Sequence, residues 1–304
     1  MANEITMTGN ADLAIASVLM LDMWQLIADK QDIRGTVLNV PGTQGQATLS
    51  KKIRQVAFDD IMAAPGEITT VNPTALGDGA ATVVAALQAL RYDNSDEAKL
   101  TGVSPSNTEL ANGLAQGGVR RSSALIANVI NGFTATAGTS GAALTVDDIY
   151  DALFDLVRAN VEGSAPTVML SNKQYTDFMS SLRGEPDAGF ASPAQDMIGF
   201  KSQGFKGVWR GASFFTNAQI VNDGTDDFGA AYLPGGCAYM ELTVDAIREV
   251  IDDNDFINAA PAGSTIWVEK DRVSRDHRTE FVGAMIAGAI LNEDELGSTI
   301  QTVD

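Results

Sequence analysis

The sequence is short of the residues from which most chemical sites are built. Its 304 residues include one cysteine, Cys237, and one histidine, His277. A single cysteine excludes a disulfide within the chain, which suits folding in a reducing compartment. Structural zinc sites draw on several His and Cys ligands, and two such residues cannot supply them. A Cys–His or Ser–His couple would have to recruit His277, which lies between Asp276 and Arg278. Gly235-Gly236-Cys237 matches no nucleophile signature and reads as the end of a turn before a strand. Positive charge is scarce too: 20 Lys and Arg stand against 39 Asp and Glu, a net charge of -19. Affinity for nucleic acid comes mainly from cations that displace counterions around phosphates, so direct readout of DNA or RNA is disfavoured. Met1-Ala2-Asn3-Glu4 carries an acid where an export signal carries bases, and Asp12 and Asp22 interrupt the apolar stretch that follows. The expectation is a chain that is neither exported by that route nor inserted in a membrane.

Phosphate and cation motifs are missing as well. Gly77-Asp78-Gly79 with Thr82 half matches a dinucleotide loop, but Asn72-Pro73 ahead of it reads as loop where the motif needs a strand. No Gly-Lys-Ser or Gly-Lys-Thr occurs. Asn222 to Asp227 and Asp252 to Asp255 are acidic, yet neither has the glycine at the sixth place and glutamate at the twelfth of a calcium loop. Asn222-Asp223-Gly224 reads better as a hairpin turn. No residue is a candidate for catalysis, cofactor binding or metal ligation.

What is present is a globular chain, 45% hydrophobic, long enough to bury a core without staples. Residues 12–30 read as a helix with Leu13, Ala16, Met20, Met23 and Ile27 on one face. It fits either a core helix or an arm docked on a neighbour. Residues 34–75 read as strands, Thr36 to Val40, Ile53 to Phe58 and Ile68 to Val71, separated by turns at Pro41-Gly42, Gly45 and Pro65-Gly66. Between residues 30 and 54, Lys30, Arg34, Lys51, Lys52 and Arg54 face the single acid Asp32. That basic segment is either a solvated hairpin or an arm laid across acidic neighbours. Residues 80–94 read as a strand ending near Tyr92-Asp93-Asn94.

Ser106 with Glu109 predicts a capping box and a helix to about Phe133, carrying Leu110, Leu114, Leu125 and Val129. Gly117-Gly118 lies in its middle, each glycine costing about 1 kcal/mol against alanine. The pair either divides two helices, makes a bendable point or lets backbones pack closely. Thr134 to Ala143 reads as a linker. Thr145 with Asp148 opens a helix with Ile149, Leu153, Leu156 and Val157, followed by a strand from Pro166 to Leu170. Ser171 with Gln174 predicts a second capping box and a helix with Tyr175, Phe178 and Leu182. Strands at Val208 to Phe215, Ala230 to Leu233 and Ala238 to Leu242 complete a mixed sheet with helices packed on it. Residues 265–291 read as one long extended segment, with room for one reversal. Its charges fall on both parities: Lys270, Arg272, Asp276 and Arg278 on one, Glu269, Asp271 and Arg275 on the other. Such a ribbon is either solvated or paired with a neighbouring subunit.

In order, these elements resemble the major capsid proteins of tailed phages, the Hong Kong 97-type fold. The resemblance runs from about Thr70 to the C-terminus. It is carried by Asn72-Pro73-Thr74-Ala75-Leu76 and by Pro105 heading the helix to Ile130-Asn131-Gly132-Phe133. Leu144-Thr145-Val146-Asp147-Asp148-Ile149 and Leu170-Ser171-Asn172-Lys173-Gln174-Tyr175 carry the rest. It implies an α+β chain with an N-terminal arm (1–33), an extended β-hairpin loop (34–75) and a peripheral domain with the spine helix (76–140). An α/β axial domain (141–244) and the peripheral return strands with the C-terminus (245–304) follow. It further implies a non-enzymatic shell subunit that forms hexamers and pentamers of an icosahedral virion capsid around DNA, made in the host cytoplasm. Its partners would be itself, a separate scaffolding protein and a portal, with no membrane and no cofactor. The candidate inter-subunit residues are Lys51, Lys52, Arg54, Lys270, Arg272, Arg275 and Arg278, and the candidate helix bend is Gly117 and Gly118. An encapsulin-like compartment holding protein cargo is the alternative within the fold. An acidic surface or adhesin-type protein is the alternative outside it.

Overall fold

The computed structural model describes residues 33–41, 48–51, 80–101, 107–158, 165–183, 205–248, 260 and 263–303. The expected helix over 12–30, the strands Ile53 to Phe58 and Ile68 to Val71, and Ser106 lie outside them. So do Asn72 to Leu76, Pro105, the Gly77-Asp78-Gly79 loop and Asp252 to Asp255.

The segment 265–291 folds on itself with one reversal, at Ser274–His277, where His277 adopts a left-handed backbone with φ 50. It gives β12 (Ile266–Val273) and β13 (Arg278–Leu291), antiparallel, with Val273 opposite Arg278. On the other side of β13 lie β4 (Ala86–Ser95), opposite residues 278–287, and β11 (Cys237–Glu241), opposite 287–291. The strand expected from Thr36 to Val40 is a 3-10 turn, Ile33–Thr36, followed by β1 (Leu38–Pro41). β1 pairs in parallel with β11, so it belongs to this first sheet and not to a projecting hairpin. Arg34 beside it donates to Glu241 Oε2 at 2.7 Å, which satisfies one basic residue of the 30–54 segment inside the chain. The hairpin proper is β2 (Thr48–Lys51) against β3 (Ala80–Val83), with Lys51 opposite Ala80.

One face of the first sheet is covered by a helix over residues 107–130. With a five-residue α1 (Asp96–Leu100) ahead of it, this is α2 (Asn107–Ile130), continuous through Gly117-Gly118. Leu110, Leu114, Ile126 and Ile130 recur at helical spacing and are buried in one core with Ile266, Val268, Phe281 and Met285. α2 stops at Ile130, and Phe133 inserts its ring beside Tyr232, centroids 6.4 Å apart.

The second sheet runs β5 (Thr136–Ala137), β14 (Gly297–Val303), β10 (Asp226–Tyr232), β6 (Thr167–Leu170), β8 (Ala212–Thr216), β7 (Phe205–Trp209), with β9 (Val221–Asn222) on β10. The expected linker 134–143 thus contributes a strand, because β14 offers Thr136 and Ala137 a free parallel edge. The expected strand Val208 to Phe215 is a tight hairpin whose turn is Arg210-Gly211. α3 (Val146–Arg158) and α4 (Asn172–Leu182) pack on this sheet through Ile149, Ala152, Leu156, Phe178 and Leu182. Val157, expected among them, faces solvent.

The predicted capping box of α4 is present: Ser171 Oγ accepts from Gln174 N, and Ser171 N donates to Gln174 Oε1. Gln174 also reaches past its own helix. Its Nε2 donates to Asp227 O, Ile300 O and Thr302 Oγ1 at 2.9 to 3.1 Å, tying α4 to β10 and β14 from a fully buried position. The turn at Asn222-Asp223-Gly224 is the expected hairpin. Asp223 Oδ1 accepts from the Thr225 and Asp226 amides, and Gly224 has φ 91.

Besides the connection from β4 through α2 to β5, two strands pass directly from one sheet to the other: β10 runs on into β11, and β13 into β14. They are bonded to each other at the crossing. Gly236 O accepts from the amides of Asn292 and Glu293, Asn292 Nδ2 donates to Gly235 O, and the Leu233 amide donates to Leu296 O.

Candidate inter-subunit surfaces

The charged end of the β12–β13 hairpin is mostly satisfied within the chain. Arg272 forms a two-pronged pair with Asp96 on α1, Nη1 to Oδ1 at 2.6 Å and Nη2 to Oδ2 at 2.5 Å. Those hydrogen bonds raise the pKa of Arg272 further above its ordinary value. Arg278 donates to Glu280 Oε1 at 2.8 Å, and its remaining nitrogens lie 3.2 Å from Asp276 and 3.8 Å from Asp93. Glu280 in turn lies 3.6 Å from Arg91 on β4. The reversal at Ser274–His277 explains why simple parity fails. Pairing Val273 with Arg278 puts Arg278 and Glu280 on the face of Asp271, while Lys270 and Arg272 share the other face with Phe281 and Thr279. Lys270 is half-buried, and Arg275 stands exposed at the tip with no ion pair among the described residues. Arg272 and Arg278 are thus held by carboxylates of their own chain. Sequence reasoning missed Asp93 and Asp96 because they lie roughly 180 residues away and meet the hairpin only through strand register.

Of the basic hairpin candidates, Lys51 lies on β2, and Lys52 and Arg54 lie outside the described residues. Gly117 and Gly118 sit where α2 comes closest to the sheet. A methyl group on Gly117 would land 2.5 Å from Leu90 Cδ2, and one on Gly118 would land 2.6 Å from Ile266 Cδ1. Both glycines also line a cleft of about 360 Å³ between α2 and the sheet, with Leu114, Gly283 and Met285.

The two residues on which a nucleophilic couple would depend stand apart. Cys237 and His277 sit at opposite ends of β13, roughly 40 Å apart at ~3.3 Å per strand residue. Burial pushes the Cys237 thiol up to about 12, far from a reactive value. Among the described residues no cluster of His, Cys, Asp and Glu could hold a metal ion, and no helix is long and apolar enough to cross a membrane.

No family model matches the sequence, and no curated protein matches it. Solved structures do. The head structure of Helicobacter pylori bacteriophage KHP40 superposes with a TM-score of 0.56 at 8% identity, over 90% of this chain and 89% of that one. The mature capsid of bacteriophage PhiM1 gives 0.55 at 10% identity, over 90% and 87%. The chain has the fold of a phage capsid protein. The capsid fold is shared by the SrpI encapsulin of Synechococcus elongatus PCC 7942, which gives a TM-score of 0.55 at 14% identity over 87% of this chain and 84% of that one. What this chain has in common with those structures is a mixed α+β architecture with two sheets and few helices.

A third surface had no counterpart among the expectations. α3 exposes Tyr150, Phe154 and Val157, one turn apart in succession on its outer side. The signal was in the sequence. Spacing of four and three marks a second apolar row beside the core row Ile149, Leu153 and Leu156.

Proposed function

We propose that the chain is a major capsid protein, a structural and non-enzymatic subunit that assembles into hexamers and pentamers of an icosahedral virion shell around viral DNA. The observation that supports it is the match to phage capsid structures over about nine-tenths of both chains. In this reading residues 1–33 are the N-terminal arm, 34–75 the extended loop, rooted in the first sheet by β1, 76–140 and 245–304 the peripheral domain, and 141–244 the axial domain. Lys51, Lys52, Arg54, Lys270 and Arg275 meet acidic neighbours. Arg272 and Arg278 act there through the carboxylates they already hold. A separate scaffolding protein and a portal assist assembly in the host cytoplasm, and Gly117-Gly118 lets α2 adjust as the shell changes state. With a net charge of -19 the wall encloses DNA without gripping it by sequence.

The same fold in an encapsulin supports a second reading, a compartment that holds protein. Electron microscopy of particles from the source, with the nucleic acid and protein inside them analysed, separates the two. Nuclease-protected DNA of uniform length supports the capsid. Particles filled with protein and free of DNA support the compartment. A source with no particles refutes both.

A further inference from the structure

α3 carries two exposed rows of side chains that the described residues do not cover. Tyr150, Phe154 and Val157 form the apolar row, with 39%, 60% and 72% of their surfaces exposed. Asp147 and Asp151, also one turn apart, form an exposed acidic row beside it. Neither of these carboxylates has an ion pair or side-chain hydrogen bond among the described residues. The other two acids of the helix are engaged, Asp148 by Thr145 and Asp155 by Ser298.

A cation stands next to these rows in a backbone conformation that does not suit it. Arg210 and Gly211 occupy the two central places of the β7–β8 hairpin with φ 50 and φ 82. Both angles lie in the left-handed region, where such turns favour Asn, Asp or Gly at the first place. The strained position lays the guanidinium over two rings, 5.8 Å from the centroid of Tyr150 and 6.0 Å from that of Trp209. Among the described residues it pairs with no carboxylate, although Asp147 and Asp151 flank the same Tyr150. Opposite charges therefore border one apolar row, and neither is neutralised by the other.

We infer that this is a contact between copies of the chain: the apolar row is covered by the next copy, and Arg210 of one copy meets Asp147 and Asp151 of the other. The inference rests on the shell reading above and names one of the surfaces that reading requires. A second copy fits better than a foreign partner because the chain carries both halves of the charge match. Three side chains cover far less than the ~800 Å² per partner of a standard interface. The contact is therefore too small to hold a pair on its own, and it works as one of several around a closed ring.

The test uses the full chain with F154E, R210E, D151R and the double variant R210E/D151R. Particle yield is measured by sedimentation and electron microscopy, and thermal unfolding is followed on the soluble chain. F154E and R210E should each lower particle yield at least tenfold with the unfolding temperature unchanged, since all three sites are exposed. The charge-swapped double variant should recover to within about threefold of wild type. If R210E reduces soluble yield, R210Q, which removes the charge without reversing it, is read in its place and should also lower particle yield. Wild-type yield in both F154E and R210E overturns the contact and leaves the shell reading standing. Failure of the double variant to recover overturns the Arg210–acid pairing. A wild-type chain that forms no particles even in its source removes the shell reading and this contact with it.

Discussion

Replacing Gly117 and Gly118 one at a time by alanine separates two roles that adjacent glycines in a helix can have. By helix propensity alone each change should stabilise the chain by about 1 kcal/mol. The structure opposes that gain unequally. At Gly117 the new methyl meets Leu90 Cδ2, the end of a side chain 38% exposed at the rim of the cleft, which can swing aside. At Gly118 it meets Ile266 Cδ1, the end of a side chain buried opposite Met285, where less space is left for it to move. Overpacking against so deeply buried a side chain costs about 1–3 kcal/mol. Gly117→Ala should thus leave stability unchanged or raise it by up to about 1 kcal/mol, and Gly118→Ala should lower it by about 0–2 kcal/mol. Equilibrium unfolding of the unassembled chain in urea measures both. A Gly118→Ala chain as stable as Gly117→Ala, or more so, refutes the claim that close approach to Ile266 selects glycine there. The double variant then tests the proposed adjustment of α2 in the shell. With the two effects nearly offsetting, folding and precursor shells should be normal while expansion slows, and normal expansion kinetics would dispose of the bend.

Gln174→Glu should cost about 3–5 kcal/mol at neutral pH, because it leaves a buried carboxylate facing the Asp227 and Ile300 carbonyls. That environment raises the folded-state pKa of the new Glu, so stability should return as pH falls through that raised value and be complete below the ordinary ~4.3; a melting temperature independent of pH would contradict this. Cys237, with its thiol at about 12, should resist disulfide reagents in the native chain at pH 8 and give one reactive thiol after denaturation; prompt native labelling would count against its burial. Asp226 is held below the usual carboxylate range first by the Ser140 hydroxyl, then by the Gly141 amide and Gln301. Its contribution is therefore complete above about pH 4 and lost on acidification. Asp226→Asn should flatten the acid limb of the melting curve, and an unchanged limb would assign acid lability elsewhere. Changing Lys51, Lys52 and Arg54 together to Glu should weaken assembly, most at low salt, while the monomer stays folded. Exposed pairs contribute about 0–1 kcal/mol each but recur in every subunit, and unchanged particle yield at low salt would remove the proposed role.

The elements that sequence reading recovered are those whose signals are local. The Ser171–Gln174 capping box, the Asn222-Asp223-Gly224 turn and the apolar spacing of α2 each rest on residues within a turn or two of one another. What escaped it depends on pairing across long separations. No local pattern announces that Thr136 and Ala137 will join β14, or that β1 will join β11 across about 200 residues. The parity of charges along 265–291 was read as though the segment were straight, and four residues at Ser274–His277 moved Arg278 to the opposite face. Gln174 was legible as a capping residue and illegible as the bond between α4, β10 and β14, since those partners lie 53 to 128 residues away. Of the candidate surfaces, the basic residues could be located but their carboxylate partners could not.

The doubled crossing between the sheets has a mechanical consequence. A single strand passing from one sheet to the other would act as a hinge, free to twist about its own axis. Here two strands pass side by side and are laced together at Gly236, Asn292 and Leu296, so rotating one sheet against the other would shear several hydrogen bonds at once. The subunit should then behave in torsion as a beam with two flanges. A load applied at the β12–β13 tip would arrive at the second sheet as displacement and would not be absorbed on the way. Compliance in anything assembled from such beams resides at the joints between them.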